Sequence, residues 1–203
     1  MQCNQNSGVH LEYLEGIKLS VSPFKEIIIL QNRIEDSLKN ERKTNLEIKN
    51  VPLKGEEKKT DLIAMIKKLT DEIGMQMKTS DIKDIIKTKN KNQQNSTLIV
   101  EFTNTFIKNE LQKCVKLYNI KYKYNKLSAK HLGIKSDSDT PIFIAENLTP
   151  KAARLYYLAR DYKAAHNYKH CWTSYGRVYL RADDVSPIIT ITNESQILGL
   201  MNK

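Results

Sequence analysis

Cysteine is scarce in this chain. Cys3, Cys114 and Cys171 are scattered, with no CxxC pair and no even-numbered framework, so disulfides are not expected to hold the fold and a reducing compartment is implied. No apolar run approaches the roughly 20 residues needed to cross a bilayer. The opening "MQCNQNSGVH" lacks the basic start and apolar stretch of a signal peptide, so a soluble chain made in the cytosol is expected. Phosphate-cradling glycine loops are absent, and nothing marks a Cys or Ser set beside a base. Asp183 and Asp184, just before "VSP", read as turn residues rather than a catalytic carboxylate pair. His166, His170 and Cys171 are the one cluster with metal-ligand chemistry. His170 and Cys171, however, are neighbours in a predicted strand and point to opposite faces, which does not make a tetrahedral site. The expectation is a protein that is not an enzyme, with no catalytic residue, metal, cofactor or small-molecule substrate.

Acidic residues are also unevenly missing. The net charge of +10 comes almost entirely from residues 86–135, where eleven lysines face Glu101 and Glu110 alone. Residues 1–44 and 45–85 are each balanced, with six and eight charges of either sign. An excess confined to a quarter of the chain points to a surface facing a polyanion.

With 40% hydrophobic and 28% charged residues in 203, two small units and a tail are more plausible than one large globule. Residues 1–23 read as a flexible N-terminus. Residues 24–43 place Phe24, Ile27, Leu30, Ile34 and Leu38 in steps of three and four. This predicts an amphipathic helix over 24–44 that packs on the body or self-associates as a short coiled coil, giving a homo-oligomer. From residue 45 the pattern becomes strand, helix, strand, strand, helix, strand. "NLEIKNVPL" alternates, and a helix follows with Thr60 as its N-cap and Gly74 as its stop. "SDIKDIIKTK" and "STLIVEFTN" flank the polar "NKNQQN". A second helix runs through Phe106, Leu111, Val115 and Leu117, and "IKYKYN" alternates again. This β-α-β-β-α-β order over 45–125 is that of ferredoxin-like, RNA-recognition-motif (RRM) domains. Glu47 stands where a first-strand aromatic would stack a base, and Phe102 is the third strand's lone aromatic. Its lysines would therefore read backbone charge rather than sequence. Residues 126–140 read as a linker.

Residues 141–203 read as a small α+β domain. It has a short strand, a helix capped by Thr149 with Pro150 at its first position, a hairpin, a strand "IITIT" and a terminal helix capped by Asn193. The helix buries Ala152, Leu155, Leu158 or Ala159, and Tyr162. The hairpin "KHCWTSYGRVYLRADD" turns at Gly176 and holds the sole Trp. Alternation puts Cys171, Thr173, Val178 and Leu180 on one face and Trp172, Tyr179 and Arg181 on the other, with Tyr175 and Arg177 at the tip. Aromatics beside arginines suit sequence-tolerant single-strand binding, although a lone Trp in a small domain can equally be core. The candidate nucleic-acid contacts are thus Lys108, Lys113, Lys116, Lys121, Lys123, Lys126, Lys130, Arg154, Lys169, Trp172, Tyr175, Arg177, Tyr179 and Arg181.

The run "NLEIKNVP", "LIVEFTNTFIKNELQ", "IFIAENLTPKAARLYYLAR", "KHCWTSYGRVYLRADDVSPIITI" resembles the baculovirus FP (few-polyhedra) family. It is similar, too, to insect proteins related to the first-open-reading-frame products of LINE-type retrotransposons. In the viral branch the resemblance implies a non-enzymatic protein of host cytoplasm and nucleus that affects nucleocapsid envelopment and occlusion, with viral nucleocapsid or envelope proteins as further partners. In the retrotransposon branch it implies a chaperone of single-stranded RNA or DNA that oligomerises through its coiled coil. Those relatives often carry an N-terminal zinc finger that this chain lacks, which favours the viral branch. A protein-interaction adaptor is the alternative from a different class.

Overall fold

The computed structural model describes residues 23–52, 55, 57–89, 95–135 and 139–201. The N-terminal stretch expected to be flexible, most of the polar turn at 90–95, and residues 136–138 lie outside them. The chain divides into two compact units, one ending at Leu38 and the other running from Lys39. Helix α1 (Pro23–Arg42) carries the first unit's described residues. There it exposes Phe24, Ile27, Leu30 and Ile34, together with Ile28 and Ile29.

The second unit holds two antiparallel sheets, which makes the protein mixed α+β as expected. In the first, β1 (Asn45–Val51), β2 (Ile82–Lys89), β3 (Ser96–Phe102) and β4 (Phe143–Glu146) lie in the order β2-β3-β1-β4. Period-2 alternation turns Leu46, Ile48, Leu98, Val100 and Phe102 to one face. There α2 (Lys59–Glu72) covers them with Leu62, Ile66 and Leu69, and α3 (Thr105–Lys121) with Leu111 and Val115. Phe102 is therefore core and does not stack a ligand. Helix α2 starts one residue before Thr60, and the side chain of Asp61 accepts the Lys58 N–H at 3.0 Å.

The fourth strand is not where alternation placed it. Residues 120–125 finish α3 and turn, with Tyr122 N–H donating to the Tyr118 carbonyl at 2.8 Å and Asn125 N–H to that of Tyr122. Alternation is a local signal, and a strand also needs a free sheet edge. The edge beside β1 is taken by Phe143–Glu146, with Leu46 opposite Glu146 and Lys49 opposite Phe143. The segment expected to be a linker makes this possible. Leu127 N–H donates to Asn119, Ile142 N–H to Leu127, and a 3-10 turn at Ala129–Leu132 buries Leu132 beside Leu127. His131 joins in, its ring nitrogens 2.9 Å from the Tyr118 hydroxyl and 3.0 Å from the Ser128 amide.

Helix α4 (Pro150–Ala165) begins as the sequence indicates, with Thr149 accepting the Ala152 N–H at 3.1 Å and Pro150 in the first turn. It buries Ala152, Leu155, Ala159 and Tyr162. Leu155, Ala159 and Tyr162 pack on the second sheet, formed by β5 (His170–Ser174), β6 (Arg177–Arg181) and β7 (Ile189–Ile191). Helix α5 (Glu194–Met201), capped by Asn193, closes the core with Ile197.

Candidate nucleic-acid interface

The hairpin has the faces that alternation requires. Cys171 pairs with Leu180 and Thr173 with Val178 on the core side, and Trp172 pairs with Tyr179 on the other. Trp172 and Tyr179 are half-buried and stacked, with ring centroids 5.4 Å apart and planes 20° from parallel. Trp172 is therefore outside the hydrophobic core.

The hairpin tip departs from expectation, because it is docked. Tyr175 and Gly176 have φ of 51° and 70°, the paired positive values of a type I′ turn, which matches the right-handed twist of the strands. The turn aims both amides at one carboxylate, with Tyr175 N–H donating to Glu146 Oε1 at 3.0 Å and Gly176 N–H to Oε2 at 3.2 Å. The same carboxylate accepts from Lys108 Nζ at 2.6 Å. Lys108 was expected on the polyanion-facing surface; it is 1% exposed, and the ring of Tyr175 lies 5.0 Å from its ammonium. Asn109 donates to the Tyr175 hydroxyl at 2.8 Å. A buried ammonium is stable here because a carboxylate and an aromatic face replace its water. Lys108 and Tyr175 thus join the two sheets; Lys108 is buried, whereas Tyr175 remains 49% exposed.

The other candidates fall into separate groups. Arg181 donates to the carbonyls of Ser186 (2.7 Å) and Asp184, holding the turn after β6. Lys169 and His170 both pair with Asp184, and these contacts, Lys169 first, pull its carboxyl down to about 2. Arg154 pairs with Glu194 at 3.5 Å, and Arg177 is exposed beside the tip. Lys113, Lys116, Lys121, Lys123 and Lys126 are exposed on α3 and the turn after it. Lys130 bonds Asn125 and Asp139. Among the described residues no group of three or more His, Cys, Asp or Glu converges as a metal site would.

What the structure brings together around Trp172 includes residues that the sequence reading did not select. Strands β4 and β5 each form one edge of their sheet, and a cleft of about 350 Å³ lies between them. Glu47, Lys49, Glu146, Tyr156 and Trp172 are among its lining residues, and Lys49 pairs with Glu47 at 2.8 Å. Tyr156 also lines a second concavity of about 710 Å³ that holds Arg160, Lys163, Asn167, Tyr168 and Cys171. The Arg160 guanidinium lies 5.8 Å from the Tyr156 ring centroid. Burial pushes the Tyr156 hydroxyl and the Cys171 thiol above their usual values, and Lys163 and Arg160 partly offset this at Cys171. Both groups stay neutral near pH 7, so the concavity's charge comes from Arg160 and Lys163. The missed signal is helical spacing, since Tyr156, Arg160 and Lys163 follow in steps of four and three and share one face of α4.

Residues 149–201 match the family model described as Baculovirus FP protein domain 2. The match runs from the Thr149 cap through α4, the hairpin and β7 into α5, and it supports a baculovirus FP-type protein. No curated protein matches the chain.

Proposed function

We propose that this FP-type protein is a non-enzymatic binder of single-stranded nucleic acid, acting where nucleocapsids are enveloped and occluded. The observation that carries this reading is the open track formed by the two concavities. It offers Trp172 and Tyr156 as π-faces and Arg160 and Lys163 as cations, alongside two strand edges. Aromatic faces tolerate any base and cations follow the backbone, so such a track binds without reading sequence. A single strand can lay separate unpaired bases against separate rings, whereas the bases of a duplex are stacked on one another. The sheet order β2-β3-β1-β4 with α2 and α3 on one face supports an RRM-like first module. The exposed apolar residues of α1 support self-association as a short coiled coil, which would multiply weak sites along one strand.

Trp172 is the chain's sole tryptophan, so its emission reports on this site directly. Titrating the full chain with a single-stranded oligonucleotide should quench that emission, and the midpoint should weaken steeply with salt. Unchanged emission at saturating oligonucleotide and low salt would refute the assignment of Trp172 to the interface.

A further inference from the structure

Helix α3 is apolar on two opposite sides. Its inner side packs Leu111 and Val115 into the core. Its outer side, at steps of seven, four and three, carries Phe106, Lys113, Leu117 and Ile120, which at 3.6 residues per turn form one stripe directly opposite. These apolar side chains stand in solvent: Phe106 is 84% exposed, Leu117 56% and Ile120 64%, and Tyr124, just past the helix, is 97% exposed. A surface helix ordinarily keeps polar residues on that side.

We propose that this outer face is a peripheral membrane-binding surface that lies on an anionic bilayer. The inference does not rest on nucleic-acid binding. Charge selects the partner, because the exposed groups from Phe106 to Lys126 include Lys113, Lys116, Lys121, Lys123 and Lys126 against Glu110 alone. Shape selects it further. The stripe is the convex outer side of a helix, which a soft, flat interface accepts and which a folded partner would have to match with a groove. Leu117 and Ile120 enter the headgroup–acyl boundary, the lysines snorkel back to lipid phosphates, and Tyr122 and Tyr124 sit at headgroup depth. A nucleic-acid strand would satisfy the lysines and leave the aliphatic Leu117 and Ile120 in water. The contact is peripheral, since among the described residues no helix is long and apolar enough to cross a membrane.

Flotation of the full chain with phosphatidylcholine vesicles, with and without phosphatidylserine, tests this. The wild type should float with the phosphatidylserine vesicles and stay behind with phosphatidylcholine alone. Leu117→Ser/Ile120→Ser should lower the partition at least about tenfold by losing aliphatic insertion. Lys113→Glu/Lys116→Glu should lower it at least as much, since each lysine near an anionic surface is worth about fivefold. All four side chains are exposed, so unfolding midpoints in urea should match the wild type, and the apolar variant should keep its oligonucleotide affinity. A wild type that does not float with phosphatidylserine, or variants that float equally well, would overturn the proposal. Absence of flotation together with a smaller mass for Leu117→Ser/Ile120→Ser by light scattering would likewise overturn it, giving the face to a second copy.

Discussion

Glu146 carries more of this structure than its surroundings in the sequence suggest. It ends a four-residue strand, yet its two oxygens hold Lys108, the Tyr175 amide and the Gly176 amide. Removing one partner of a buried pair leaves the other charge unsolvated, at a cost of about 3–5 kcal/mol. Lys108→Met should therefore lower unfolding free energy by that much in urea denaturation, and a loss under about 1 kcal/mol would contradict the pair's structural role. Asp184 is the opposite case, an exposed carboxylate held low by Lys169 and His170. Because its folded value, about 2, lies below the ordinary 3.8, the pairing favours the folded turn above pH about 4 and is lost as pH falls towards 2. A carbon-detected NMR titration of the Asp184 carboxyl should give a midpoint near 2, and a midpoint at the ordinary value would deny both contacts.

The β5–β6 hairpin belongs to both modules, because its strands pack on α4 while its turn rests on β4. Gly176 has φ of 70°, and an added Cβ would come within 3.2 Å of the Lys39 Cγ atom. Gly176→Ala should therefore cost at least about 1–2 kcal/mol from the left-handed backbone alone, measurable as a shift in the urea midpoint without a change in slope. The hairpin's faces, its turn glycine and the Thr149–Pro150 helix start were legible in the sequence because each depends on chemistry within a few residues. The place of the fourth strand was not. "IKYKYN" and "IFIAE" both suit an edge, and the choice follows contacts between residues apart in the chain, those of Leu127 with Asn119 and Ile142 and the Lys108–Glu146 pair. The buried state of Lys108 was hidden for the same reason, since in sequence it is one lysine among eleven. Arg160 and Lys163 are on a predicted helix, but only the packing of α4 beside β5 brings them to the track shared by Tyr156 and Trp172.

At the scale of the whole molecule, the excess charge of residues 86–135 does not gather around Trp172. Among the described residues it divides between a buried strut, salt bridges such as Lys87–Glu57 and Lys130–Asp139, and the outer side of α3. The candidate nucleic-acid track instead takes Arg160 and Lys163 from the region whose net charge is close to zero. The protein therefore presents two different surfaces, an aromatic and cationic track at the sheet edges and an apolar and cationic ridge on α3. Their separation predicts that track variants and ridge variants affect different ligands. Fluorescence anisotropy of a labelled single-stranded oligonucleotide across a salt series, comparing wild type with Arg160→Ala/Lys163→Ala, tests the central assignment most directly. The wild type should bind with a steep dependence of affinity on salt, and the variant should weaken with a slope smaller by about 1.4, two phosphate contacts at about 0.7 each. An unchanged slope and affinity in the variant, or no binding by the wild type at low salt, would contradict the account.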